Sequence, residues 1–137
     1  MSDYDMSEYL AVFLSDMEEH LYLFEDALLQ MEKHGADTER ITVIFRAAHS
    51  LKGSSAAMGF DQVTQLTHRM EDILDRIRSD QLTIDAQVIH ILFTNLDLLT
   101  HMKDTIQKNE SLNQVPTDEN YSSNGSTIKS KCTREHH

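Results

Sequence analysis

Three features of this 137-residue chain predict an all-α fold, an antiparallel up-down four-helix bundle. Four Gly and one Pro leave little turn material for a β-rich protein. Four segments repeat apolar residues every three or four positions, the period of an amphipathic helix. The connections between them are only a few residues long, which makes consecutive helices antiparallel neighbours. Hydrophobic residues make up 39% of the chain, enough for one shared core.

The first helix spans about Ser7 to His34, with Leu10, Phe13, Leu14, Met17, Leu21, Phe24, Leu28 and Met31 on one stripe and Gly35 as the stop. The second starts near Asp37 or Thr38, carries Ile41, Ile44, Phe45, Ala48, Leu51 and Ser55, and ends near Met58 and Gly59. The third follows Phe60, with Asp61 as its expected N-cap, and carries Val63, Leu66, Met70, Ile73, Leu74 and Ile77. The fourth follows Thr83, another expected cap, and carries Ile84, Val88, Ile91, Leu92, Asn95, Leu98, Leu99, Met102 and Ile106. Residues 1–110 therefore form the expected domain. Residues 111–137 are rich in Ser, Thr and Asn and bury too little to offset their ordering entropy. This segment is expected to be a polar linker or disordered tail, with the closing EHH consistent with a tag remnant. A short extra C-terminal helix is the one variation it allows.

Composition excludes several functions. The chain carries 12 basic and 23 acidic residues, a net charge of −11, so nucleic-acid phosphates would repel it. No apolar run approaches the roughly 20 residues of a membrane span, so membrane insertion is not expected. The N-terminus MSDYDMSEY lacks the basic-then-apolar pattern of a secretory signal. Cys132 is the single cysteine, which rules out an intrachain disulfide and paired-cysteine zinc ligation. A reducing, cytoplasmic setting fits best. The charge is uneven: residues 1–34 hold nine acids and one base, whereas residues 37–80 hold seven acids and six bases.

Most candidate chemistry has an ordinary explanation. His20, His34, His90 and His101 lack distinctive neighbours and are expected to be surface or packing residues. The methionines fall mostly on the apolar stripes, where Met fills gaps. A di-iron bundle needs Glu-x-x-His on two helices, but His68 and Glu71 form one reversed pair, HRME. No Gly-rich phosphate loop or acidic calcium loop occurs.

The exception is FRAAHSLKGSSAAMGF, Phe45 to Phe60. At about 100° per residue, His49 lies on the flank of the second helix, with Lys52 and Gly53 one turn on. Glycine inside a helix costs about 1 kcal/mol relative to Ala. Access explains it: without a side chain there, another protein can come close to the imidazole. The chemistry suited to this site is phosphoryl transfer to histidine. A neutral imidazole is a competent nucleophile near pH 7. Transfer needs an exposed nitrogen, in-line approach and a balancing cation, which Lys52 supplies. The other ring nitrogen needs an acceptor to fix the tautomer. Glu71 is the best candidate, with His68 one turn away on the same flank.

These residues carry a family resemblance. The runs FRAAHSLKG, G-F and T-H-R-M-E, with the opening YLAVFLSDMEEHLYLFEDALL, resemble the histidine phosphotransfer (HPt) domain at the N-terminus of the chemotaxis histidine kinase CheA. The resemblance covers about residues 6 to 108. It implies that His49 is phosphorylated, at Nε2, with Lys52, His68 and Glu71 as its hydrogen-bonding partners. Glu71 would orient the ring through Nδ1, Lys52 would neutralise phosphoryl charge, and His68 would support the network. The implied partners are a CheA-type ATP-binding kinase domain and the receiver domains of response regulators. ATP and Mg²⁺ would sit in those partners, with no cofactor in this chain, which would act as a phosphotransfer intermediate rather than an enzyme by itself. The kinase's own ATP-binding, dimerisation and coupling motifs are not among these residues. The alternatives are a stand-alone HPt module of a multistep phosphorelay and a non-catalytic helical adaptor.

Overall fold

The computed structural model describes residues 3–109 and 112. It contains four helices and, among the described residues, no strand: α1 (Asp3–His34), α2 (Thr38–Met58), α3 (Asp61–Arg78) and α4 (Ala86–Gln107). Each helix packs on the next and α1 also packs on α4, so the four close into a bundle. The pairing of α2 with α3 is the most extensive. No helix among the described residues is long and apolar enough to cross a membrane.

The stripes meet along the bundle axis. Phe24, Met17, Ile44, Leu51, Met70 and Leu99 are completely enclosed and form the centre of the core. The edges of the stripes are half-buried against it, including Leu10, Leu14, Phe45, Ile73 and Ile77. Ile91 departs from expectation at 40% exposed. It lies on the edge of the α4 stripe, whose buried members Val88, Leu92, Asn95, Leu99, Met102 and Ile106 recur at three- and four-residue steps without it.

Local chemistry sets the helix ends. Gly35 has φ +90°, a left-handed backbone that glycine adopts without cost, and its N–H closes on the Met31 carbonyl at 2.8 Å. Asp37 caps α2, its side chain accepting the Arg40 N–H at 2.8 Å. At the other end Gly59 (φ +81°) donates to Ala56 O and Phe60 N–H to Ser55 O, the two bonds of a Schellman stop. Two expected caps are corrected. Asp61 is the first residue of α3 and Phe60 occupies the cap position with no side-chain bond; the Asp61 charge in the first turn still suits the helix dipole. The cap of α4 is Asp85, which accepts the Val88 N–H at 2.9 Å, and not Thr83. Asp85 stands one turn before the first buried residue of the stripe, and Ile84 before it is half-buried on the core. The helix α1 also begins earlier than Ser7, at Asp3. The expected tail, tag remnant and extra helix lie outside the described residues, apart from Leu112, which packs half-buried against the core.

Candidate functional site

The flanks of α2 and α3 that face each other carry the candidate residues. His49 and Lys52 project from α2, and Glu71 reaches them from α3. His49 Nδ1 donates to Glu71 Oε2 at 2.9 Å. Lys52 Nζ donates to Glu71 Oε1 at 3.0 Å. One carboxylate thus uses each oxygen on a different residue. The His49 side chain is 64% exposed, that of Glu71 only 16%.

Electrostatics assign the proton. Burial alone would push the Glu71 carboxyl up, but the hydrogen bonds and charges of Lys52 and His49 outweigh it and hold the group below the usual carboxylate range. An ionised carboxylate can only accept, so Nδ1 carries the hydrogen. In the neutral imidazole Nε2 then keeps its lone pair. No residue among those described forms a hydrogen bond with Nε2.

Two further contacts order this surface. The Phe45 ring, one helical turn before His49, lies nearly parallel to the imidazole at 8°, with centroids 6.3 Å apart. The Arg78 guanidinium, from the last turn of α3, sits 4.3 Å from the Phe45 centroid. Below the site, fully buried Ser55 meets Thr64 Oγ1 at 2.8 Å, joining α2 to α3 a turn beyond Lys52.

The structure therefore brings together His49, Lys52 and Glu71, and places Gly53 beside them with open space: a Cβ added there would meet nothing within 4 Å. It does not bring in His68. That ring is exposed, and its Nε2 lies 4.0 Å from Asp72 Oδ1. Three helical residues turn His68 about 60° from Glu71, enough to aim it at solvent while Glu71 faces α2. Sequence reasoning passed over Phe45 as a core residue, although its four-residue spacing from His49 was visible. Nothing local marks Arg78, which enters only through tertiary packing.

The fold and motifs have close counterparts. A family model described as Hpt domain matches residues 8–109. Chemotaxis protein CheA of Bacillus subtilis is 42% identical over 102 residues, which is 74% of this chain and 15% of that protein. The CheA of Halobacterium salinarum is 36% identical over 102 residues, again 74% of this chain and 15% of that protein. The chain thus spans about 15% of the length of these curated relatives. Among solved structures, the CheA phosphotransferase domain from Thermotoga maritima superposes with TM-score 0.70 at 39% identity, covering 77% of this chain and 98% of that one.

Proposed function

The chain belongs to the Hpt domain family, and from that premise we propose that it is the phosphotransfer domain of a CheA-like two-component kinase in chemotaxis signalling. His49 accepts the γ-phosphoryl group of ATP from a separate kinase domain and passes it to an aspartate of a response-regulator receiver. The observation that carries this reading is the exposed imidazole held at Nδ1 by Glu71, with no described residue bonded to Nε2.

The mechanism follows from that tautomer. The Nε2 lone pair attacks the γ-phosphorus in line with the leaving group. The N–P bond forms as the P–O bond to ADP breaks, and ADP departs. Nδ1 keeps its hydrogen, so the phosphorylated ring is cationic and faces the Glu71 carboxylate. No proton has to leave. Glu71 therefore orients the ring in the ground state and balances charge that develops during transfer. The Lys52 ammonium, 28% exposed beside the same carboxylate, offsets the negative charge of the arriving phosphoryl group. In the onward step a receiver carboxylate oxygen attacks the phosphorus, the N–P bond breaks, and its electron pair returns to Nε2. His68 enters only as an exposed neighbour of Glu71. In this reading ATP and Mg²⁺ belong to the partner domains, and the setting is cytoplasmic.

Incubation with a CheA-type kinase domain and labelled ATP tests this. One acid-labile phosphate per chain is expected, and none in His49→Gln. Undiminished label in that variant would remove His49 from the role.

A further inference from the structure

We propose that Phe45 and Arg78 are positioning residues, which set the plane of the His49 ring and with it the direction of the Nε2 lone pair. This rests on the phosphotransfer reading above. A hydrogen bond at Nδ1 fixes one point of the imidazole. The flexible Glu71 side chain can follow it, so the ring can still pivot by rotation about its own Cβ–Cγ bond. The Nε2 lone pair lies in the ring plane, so a pivot swings it away from an in-line donor, and in-line geometry is what makes transfer fast. A second constraint of a different kind is needed, and a parallel aromatic ring supplies it. The 8° angle and 6.3 Å separation between Phe45 and His49 fall in the range of offset stacking. Phe45 is itself only half-buried, so the core does not hold it alone. Arg78 holds it from outside: its guanidinium, 4.3 Å from the centroid, makes a cation–π contact. Because Arg78 comes from α3, the clamp spans the same two helices as the hydrogen bond between His49 and Glu71. Point and plane are thus both referred to α3.

The test compares two phosphoryl donors on the full chain. A kinase domain with ATP presents its phosphate from one direction. Phosphoramidate, which loses ammonia as the N–P bond to His49 forms, reaches an exposed nitrogen from whichever side it faces. Arg78→Gln and Phe45→Leu should each lower the rate from saturating kinase domain by about three- to tenfold, the change that contacts of this strength convert to. The KM for the kinase domain and the phosphoramidate rate should stay unchanged, and Arg78→Lys should recover most of the lost rate. The His49 ring protons should also lose an upfield ring-current shift in Phe45→Leu. An equal loss with both donors, a change confined to KM, or no change in rate would each overturn the proposal. Wild-type protein labelled by phosphoramidate yet refused by the kinase domain would instead overturn the phosphotransfer reading on which it rests.

Discussion

His49 and Glu71 lie 22 positions apart and meet at 2.9 Å across the α2–α3 interface. The contact gives a carboxylate that is mostly enclosed a hydrogen bond it needs, and gives an exposed imidazole a fixed tautomer. Glu71→Gln keeps the shape but removes the charge, and its amide can present a donor to Nδ1 as readily as an acceptor. The expected result is a loss of about 10- to 100-fold in phosphorylation rate, by analogy with partners that orient metal-binding histidines. Far-UV circular dichroism should be unchanged. Rapid-quench measurement of phosphohistidine formation decides it; an unaltered rate would show that the carboxylate does not orient the ring.

The same carboxylate ties stability to pH. Glu71 is held below its ordinary value near 4.5 by Lys52 and His49, against the opposing effect of burial. Asp37 is held below 3.8, chiefly by the Arg40 backbone N–H, with desolvation opposing and the Arg40 side chain adding to the lowering. A depressed carboxylate contributes stability that is complete above its unfolded value and is lost as pH falls through its folded value. Both groups therefore weaken the fold on acidification below about pH 4.5, and neither does so between about pH 6 and pH 8. Urea midpoints measured from neutral to acid pH should fall less steeply on the acid side in Glu71→Gln and in Asp37→Asn than in the wild type. Parallel acid limbs would argue that these contacts are not retained in solution.

The start of α4 makes a sharper stability prediction. Asp85 accepts the Val88 N–H, whereas Thr83 stands outside the helix. Asp85→Ala should cost about 1 kcal/mol, the usual worth of a side-chain cap. Thr83→Ala should stay within about 0.5 kcal/mol, as exposed substitutions away from such features do. Denaturant titration of the two variants separates them, and the reverse order would return the cap to Thr83.

That pair also shows where sequence reasoning stops. Thr83 and Asp85 are both good capping residues two positions apart, and periodicity cannot place a boundary that finely. The apolar stripes were legible because burial of Phe24, Met17 or Leu99 satisfies a pattern many residues long. Ile91 was not, since one residue at the stripe's edge is decided by its neighbours across the interface. At the site, His49, Lys52 and Gly53 could be read from spacing on one helix. Glu71 could be paired with them because an exposed imidazole needs an acceptor and α3 must run antiparallel to α2. His68 was drawn in by the same flank argument, which has no angular resolution: the structure turns its ring toward Asp72. Arg78 reaches Phe45 only because α3 ends level with it, a fact of helix length and packing that no motif carries.

Gly53 allows stability and function to be pulled apart. It sits inside α2 with room for a methyl group, since an added Cβ would find nothing within 4 Å beyond its own helix backbone. Helix propensity alone then predicts that Gly53→Ala stabilises the domain by about 0.5–1 kcal/mol. If the open space one turn from His49 is where a partner's backbone approaches, the same change should not help transfer, and a larger one should hinder it. Gly53→Leu should fold, remain reactive toward phosphoramidate, and show a raised KM for the kinase domain and slower transfer to a receiver. Its thermal midpoint should be no lower than that of the wild type, because Leu is a better helix former than Gly. A Gly53→Leu protein with wild-type KM and wild-type transfer would mean that neither partner uses this face of α2, and the glycine would be left without a functional explanation.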